Sequence, residues 1–371
     1  MIRPDAVVVG AGAIGVACAY ELARAGLSVV VVDRAEPGAE ASGASAGILS
    51  VPDPSRRDPL AALGRLSREL YEPLAEALRE ETDIDVGLGR TGHLHLCMTH
   101  AEARQARRVV DDPAYREEGI SFIEGDDLRR VEPTMSQAAH GALHLPRSSW
   151  VDNVQLVRAL VRAGERRGVR YVVGRPVVAL IRDGDRVTGV RVSDLGIIET
   201  AVVIVAAGAW SGTIDGMPAG LSVRPVKGQI LAFDNAAGLV RHVIFREDVY
   251  LVPRLSGECL FGATVEDGVA DRDVTLDGLA WLMEQAFNTA PGIGRLRFLR
   301  AWAGLRPATA DGLPVVGPWP GAPGLLVATG HYRNGITWTP VTAHVVRDYV
   351  IDGRSALPVG GLLPDRLLGG R

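Results

Sequence analysis

Cysteine is scarce in this chain of 371 residues, which has only Cys18, Cys97 and Cys259. They are far apart, odd in number and without a C-x-x-C pair, which excludes a disulfide framework and a thiolate zinc site and fits a reducing cytoplasm. Lysine is scarcer still. Of 40 basic residues only Lys227 is a lysine and the other 39 are arginines, a ratio that a base-composition bias explains. A Schiff-base enzyme would have to use Lys227, which lies outside any recognisable cofactor loop. Positive charge is not in surplus either: the formal net charge is −4, which leaves no electrostatic footprint for duplex nucleic acid. No stretch offers ~18 uncharged apolar residues, so no membrane span is expected. No charged leader with a cleavage site precedes the first apolar run, so no signal peptide is expected. Internal repeats and low-complexity linkers are also lacking.

What is present is a large apolar fraction, 47%, against 23% charged residues. At ~150 residues per domain, this length predicts roughly two domains with real cores. Forty-four glycines and 22 prolines without a G-X-Y period imply many tight turns.

The first chemistry-bearing motif is near the N-terminus. The apolar run Ala6 to Val9 leads into Gly10-Ala11-Gly12-Ala13-Ile14-Gly15, followed by a helical stretch through Ala25. Between a strand and a helix, G-x-G-x-x-G has a physical meaning: Gly10 permits the turn, Gly12 lets N–H groups approach a pyrophosphate, and Gly15 lets the helix pack close. The positive end of the helix then faces the phosphates. A second strand, Val29 to Val32, ends at Asp33, 18 residues beyond Gly15. An acid there accepts hydrogen bonds from a ribose 2′-hydroxyl and repels a 2′-phosphate, so the expected ligand is FAD or NAD rather than NADP. The small-residue loop from Gly38 to Ile48, with Ser42, Ala44, Ser45 and Gly47, is one a simple nicotinamide domain does not need. It can lie against a flat ring system.

Further along, leucines at 63, 66, 70, 74 and 78 predict a helix over about 60 to 85. Strands around a further helix are expected between 86 and 147. His93 and His95 would share a strand face, but no third ligand with metal spacing accompanies them, nor His140 and His144, so no metal site is expected. A helix from Asn153 to Gly168, a strand from Arg170 to Val173 and a hairpin of Val177–Ile181 with Val187–Val192 come next. Ala201 to Ser211 reads as a buried parallel strand followed by a helix start. Alternating strands at Ile230 to Phe233, Val249 to Val252 and Cys259 to Gly262, then a helix near Leu276 to Phe287, predict an antiparallel sheet with one face toward a ligand.

With the Gly10–Gly15 motif, Asp33 and the loop that ends at Ile48, the chain resembles the D-amino-acid oxidase superfamily, and within it the glycine oxidases of thiamin biosynthesis. The resemblance runs from Val7 to about Tyr349. It implies a mixed α/β fold in which a Rossmann-type FAD-binding domain is assembled from residues 1–85, 148–220 and 301–371. Residues 86–147 and 221–300 would form a substrate domain on an antiparallel sheet. The implied cofactor contacts are Gly10, Gly12, Ala13, Ile14, Gly15, Asp33, Arg34, Ser42, Ala44, Ser45, Gly47 and Ile48, backbone around Val177 and Val178, then Ala207, Gly208 and Trp210, and finally His331, Asn334, Gly335 and Ile336. No cysteine lies in the C-terminal block where relatives attach flavin, so FAD is expected to be non-covalent.

An arginine is the natural anchor for a substrate carboxylate, since its planar fork donates two parallel hydrogen bonds and stays charged. Arg333, in a glycine-flanked turn, is the first candidate, and the resemblance implies the same residue. It also implies Tyr250 as support for the carboxylate and Arg306 as a second active-site arginine. N–H groups around Asn334 to Ile336, at an expected helix start, would stabilise negative charge on reduced flavin. Val265 stands where glycine oxidase-like sequences often carry a longer residue, and Arg246 and Asp248 would make that wall more charged.

The expected function is therefore FAD-dependent oxidative deamination of glycine or another small primary or secondary amino acid, by hydride transfer to flavin N5, with O2 as acceptor and H2O2 as product. The alternatives are an amino-acid dehydrogenase that passes electrons to quinone or a carrier, a partner-dependent FAD-binding subunit without turnover alone, and a nicotinamide dehydrogenase. A cytoplasmic homo-oligomer, without nucleic acid or an integral membrane segment, is expected.

Overall fold

The first strand, Ala6–Val9, consists of four apolar residues that are at most 4% exposed. Both its faces are covered, as in the centre of a parallel sheet. It pairs in parallel with Val29–Val32 on one side and Val202–Val205 on the other. The full sheet runs 315–318, 325–329, 202–205, 6–9, 29–32 and 170–172, with its first two strands antiparallel and the others parallel. The computed structural model describes residues 3–50 and 61–368.

Because the chain leaves the first strand toward one side and later returns on the other, the C-terminal end of that strand is a topological switch point, where doubly wound sheets bind ligands. The helix Ala13–Arg24 starts there and packs against Asn153–Arg166 and Thr339–Asp352. Its close fit depends on Gly15, where a Cβ would collide with the Gly10 carbonyl. Asp152 caps the Asn153–Arg166 helix by accepting from the N–H groups of Val154 and Gln155, both at 3.0 Å.

The second sheet is nine-stranded and is covered on one face by the helix Leu276–Thr289. Its spine is a pair of twelve-residue strands, Val223–Asp234 and Phe298–Thr309, antiparallel along their length. Leu94, Leu231, Leu251, Phe261 and Leu282 are in its core.

Several expectations need correction. The expected division between residues 300 and 301 cuts the Phe298–Thr309 strand, so this sheet keeps the chain to Thr309. The leucine-spaced stretch forms two helices, Ala61–Glu69 and Tyr71–Thr82; residue 60 lies outside the described residues. The hairpin gains a third strand, Gly196–Glu199. The expected helix start after Ala207 is a 3₁₀ turn, Gly208–Thr213. The antiparallel sheet contains one parallel pair, Val243–Arg246 beside His93–Cys97. No described helix is long and apolar enough to cross a membrane.

Candidate functional site

A cavity of about 1000 Å³ lies where the two sheets meet. Small-molecule sites typically have volumes of roughly 300 to 1,000 Å³, so this one has room for an extended ligand. One end is floored by the glycine loop. Gly10, Gly12, Ala13 and Ile14 line it, while Gly15 works from behind, packed on Gly10. Asp33 sits at the tip of the second strand. Its Oδ2 accepts from the Ala11 N–H at 2.6 Å and its Oδ1 from the Ala35 N–H at 2.9 Å, so the carboxylate also ties the loop shut. The Arg34 guanidinium lies 3.6 Å over the Trp210 ring and pairs with Glu40 at 2.8 Å. Ala207 and Gly208 complete this wall. Val178 does not line the cavity; it is 40% exposed, and Pro176 and Val177 face the cavity instead.

The small-residue loop forms the middle of the cavity, with Ser42, Ala44, Ser45, Gly47 and Ile48 on its surface. Ser42 Oγ accepts from the Ala13 N–H at 2.9 Å. From behind, Asn153 Nδ2 donates to the carbonyls of Ser42 at 2.7 Å and Gly43 at 3.0 Å. Arg254 Nη2 donates to Ala46 O at 2.9 Å and to Asn153 Oδ1 at 2.7 Å, and its Nη1 donates to Val151 O. Trp302 Nε1 donates to Ala44 O at 3.0 Å. Arg254 is buried, and burial pulls its pKa down. Sequence reasoning missed Asn153, Arg254 and Trp302 as supports. The Asp152 cap marks where Asn153 falls, but among 39 arginines nothing local distinguishes Arg254.

Three expected residues converge at the other end. Tyr250 comes from Val249–Pro253, Arg306 from Phe298–Thr309, and Arg333 from the turn after Leu325–Thr329; all three line the cavity. Arg306 Nη1 donates to Thr264 O at 3.1 Å and to Lys227 O at 3.3 Å, and its guanidinium lies over Gly228, where any Cβ would strike it. Arg333 Nη1 is 3.1 Å from Asp248 Oδ1. Burial raises the Tyr250 phenol pKa, and the positive charges of Arg306, Arg333 and Arg254 partly offset that. Lys227 points elsewhere: its Nζ is 2.7 Å from Asp271 and 3.6 Å from Glu266.

His331, Asn334, Gly335 and Ile336 line the cavity, but in a turn; the helix that follows starts only at Thr339. The Asn334 N–H donates to His331 O at 2.9 Å, so it is committed within that turn. His331 Nε2 is 3.0 Å from Thr342 Oγ1, and burial pushes its pKa down to about 3. Val265 is 47% exposed and, like Arg246, does not line the cavity; Ala263, Glu247 and Asp248 do. Buried His93 has its Nε2 3.0 Å from Ser149 O, and burial pushes its pKa down to about 3. The His95 ring lines the cavity 4.7 Å from Phe245. Among the described residues no group of three or more His, Cys, Asp or Glu side chains is placed to hold a metal ion. All three cysteines are free and buried, and none lines the cavity.

The bare, small-residue floor and the acid at the tip of the second strand fit an adenine dinucleotide with an aromatic ring system beyond it. Comparison with known proteins agrees. Residues 5–349 match the DAO family, described as FAD dependent oxidoreductase. The chain is 34% identical over 368 residues to a glycine oxidase of Pseudomonas aeruginosa, covering 96% of this chain and 99% of that one. It is 30% identical over 399 residues to the hydrogen cyanide synthase subunit HcnC of the same species, covering 98% and 96%. The crystal structure of glycine oxidase from Geobacillus kaustophilus superposes with a TM-score of 0.91 at 33% identity, covering 97% and 98% of the two chains.

Proposed function

Because the chain belongs to the DAO family of FAD-dependent oxidoreductases, as its match over residues 5–349 shows, we propose that it binds FAD without a covalent bond and oxidises glycine or another small primary or secondary amino acid, with O2 as acceptor and H2O2 as product. The observation that carries this reading is one cavity with the dinucleotide features at one end and Tyr250, Arg306 and Arg333 at the other. Bound FAD would supply the acceptor for a hydride from the substrate carbon. The substrate amine gives up a proton, and water converts the imine to the oxo acid and ammonia or an amine.

The chain's own contribution is placement. No strong base at carbon is needed if the amine enters neutral, but the C–H must be held at near-attack distance. The Arg333 fork anchors the carboxylate, and the Tyr250 hydroxyl donates to the same group. Arg306, fixed by two backbone carbonyls over Gly228, adds positive charge beside Tyr250. The loop at 42–48, held by Asn153 and Arg254, keeps the wall behind the ring system still.

The test is an absorption spectrum of the purified protein, then anaerobic addition of glycine, sarcosine, D-alanine and D-proline, then air. Bleaching of the flavin band with rapid recovery in air is expected. The 30% identity to a hydrogen cyanide synthase subunit favours one second reading, a partner-dependent FAD-binding subunit without turnover alone. Bleaching that air does not reverse would replace O2 by a quinone or carrier as the acceptor, and a yellow protein bleached by none of the four amines would remove these four as substrates and favour the partner-dependent reading.

A further inference from the structure

Strands Val243–Arg246 and Val249–Pro253 are joined by just two residues, Glu247 and Asp248, with Arg246 paired to Val249 across the turn. Such a turn needs left-handed backbone, usually from Gly, Asn or Asp. Here Glu247 adopts it, with φ of 51°. The short turn holds both acidic residues in the cavity lining, with Asp248 two residues before Tyr250. Asp248 Oδ1 is 3.1 Å from Arg333 Nη1, on the guanidinium that the reading above gives to the substrate carboxylate. The Asp248 side chain is 73% exposed and therefore open to an incoming group.

Resting on that reading, we infer that Asp248 selects the substrate class: it disfavours amines carrying a second carboxylate and favours amino acids carrying a second ammonium group. A monocarboxylic substrate must share Arg333 with an anion already in contact with it. A dicarboxylic one brings a further negative charge toward Asp248 and Glu247 as well. A diamino acid can give its carboxylate to Arg333 and its distal ammonium to Asp248, so that both members of the Asp248–Arg333 pair gain a partner of opposite charge.

The test compares the holoenzyme with its Asp248→Asn variant in two assays. In the first, acetate, which cannot be oxidised here, is titrated while the flavin absorption is followed. In the second, KM and kcat are measured for glycine, iminodiacetate and 2,3-diaminopropionate. Removing an exposed charge of this kind should tighten acetate binding about three- to fivefold. The KM values for glycine and iminodiacetate should fall, iminodiacetate the more, and that for diaminopropionate should rise, with kcat little changed. Asp248→Glu, which restores the charge, should return the wild-type order. Unchanged acetate affinity and an unchanged substrate order, in a variant with full flavin content, would overturn the proposal. If no amine reduces the flavin in either protein, amino-acid oxidation fails and the substrate selection fails with it. Tighter acetate binding in that case would still establish the Asp248–Arg333 competition by itself.

Discussion

At Arg333 the chemistry reduces to one guanidinium, and its removal has a defined kinetic signature. Charge-assisted hydrogen bonds contribute about 1.5–3 kcal/mol, so Arg333→Ala should raise KM for a carboxylate substrate on the order of 10- to 100-fold, with FAD still bound. Steady-state kinetics at full flavin content check this, and unchanged KM would remove the anchor assignment. Asp33 predicts the opposite pattern. Its two oxygens satisfy the N–H groups of Ala11 and Ala35 as well as facing the cavity. Asp33→Ala should therefore raise the FAD dissociation constant about tenfold or more while KM at saturating FAD changes little. Fluorescence titration of the apoprotein with FAD measures this. Asp33 is legible in the sequence because a helix and a strand fix its distance from Gly15. Its second task, closing the loop, depends on the path of the backbone and carries no sequence signal.

The elements divide in the same way. Ala6–Val9, Val29–Val32 and Val202–Val205 are readable because a strand buried on both faces must be apolar throughout. The Phe298–Thr309 strand is not: it carries Arg300, Gly304, Arg306 and Pro307, and only its pairing with Val223–Asp234 makes it a strand. Glycines that read as turns are here the places where other groups come close, Ala44 at Gly304 and Arg306 at Gly228. The 42–48 loop shows the largest gap between sequence and structure, because its supports come from residues 110 to 258 positions away. Asn153 is 2% exposed and holds two loop carbonyls and the Arg254 guanidinium. Asn153→Ala should leave these buried groups short of partners, at a cost of about 1–3 kcal/mol. A lower melting temperature together with weaker FAD binding is expected. A lower melting temperature with unaltered FAD affinity would show that the clamp serves only the fold.

Across the whole molecule, buried histidines set how stability responds to acid. His93 lies in the nine-stranded sheet and His331 in the turn beside the cavity, and burial holds the pKa of each near 3. Burial also lowers His144 and His344. A histidine in the unfolded chain titrates near 6.5. Above that value folded and unfolded forms are both neutral, so nothing is lost. As pH falls from about 6.5 toward 3 the unfolded chain takes up protons that the folded protein refuses, and stability declines by up to roughly 1.4 kcal/mol per pH unit for each such histidine. Carboxylates held low by arginines, such as Asp311 with a pKa of about 2, contribute only further down, so pH 4.5 to 6 belongs to the histidines. The urea midpoint should therefore fall steeply across that window. His331→Gln, which keeps a hydrogen-bonding group toward Thr342, should flatten the slope by about one proton. Equal slopes for wild type and His331→Gln would mean that His331 takes up its proton in the folded state, and that the turn lining the cavity opens to water.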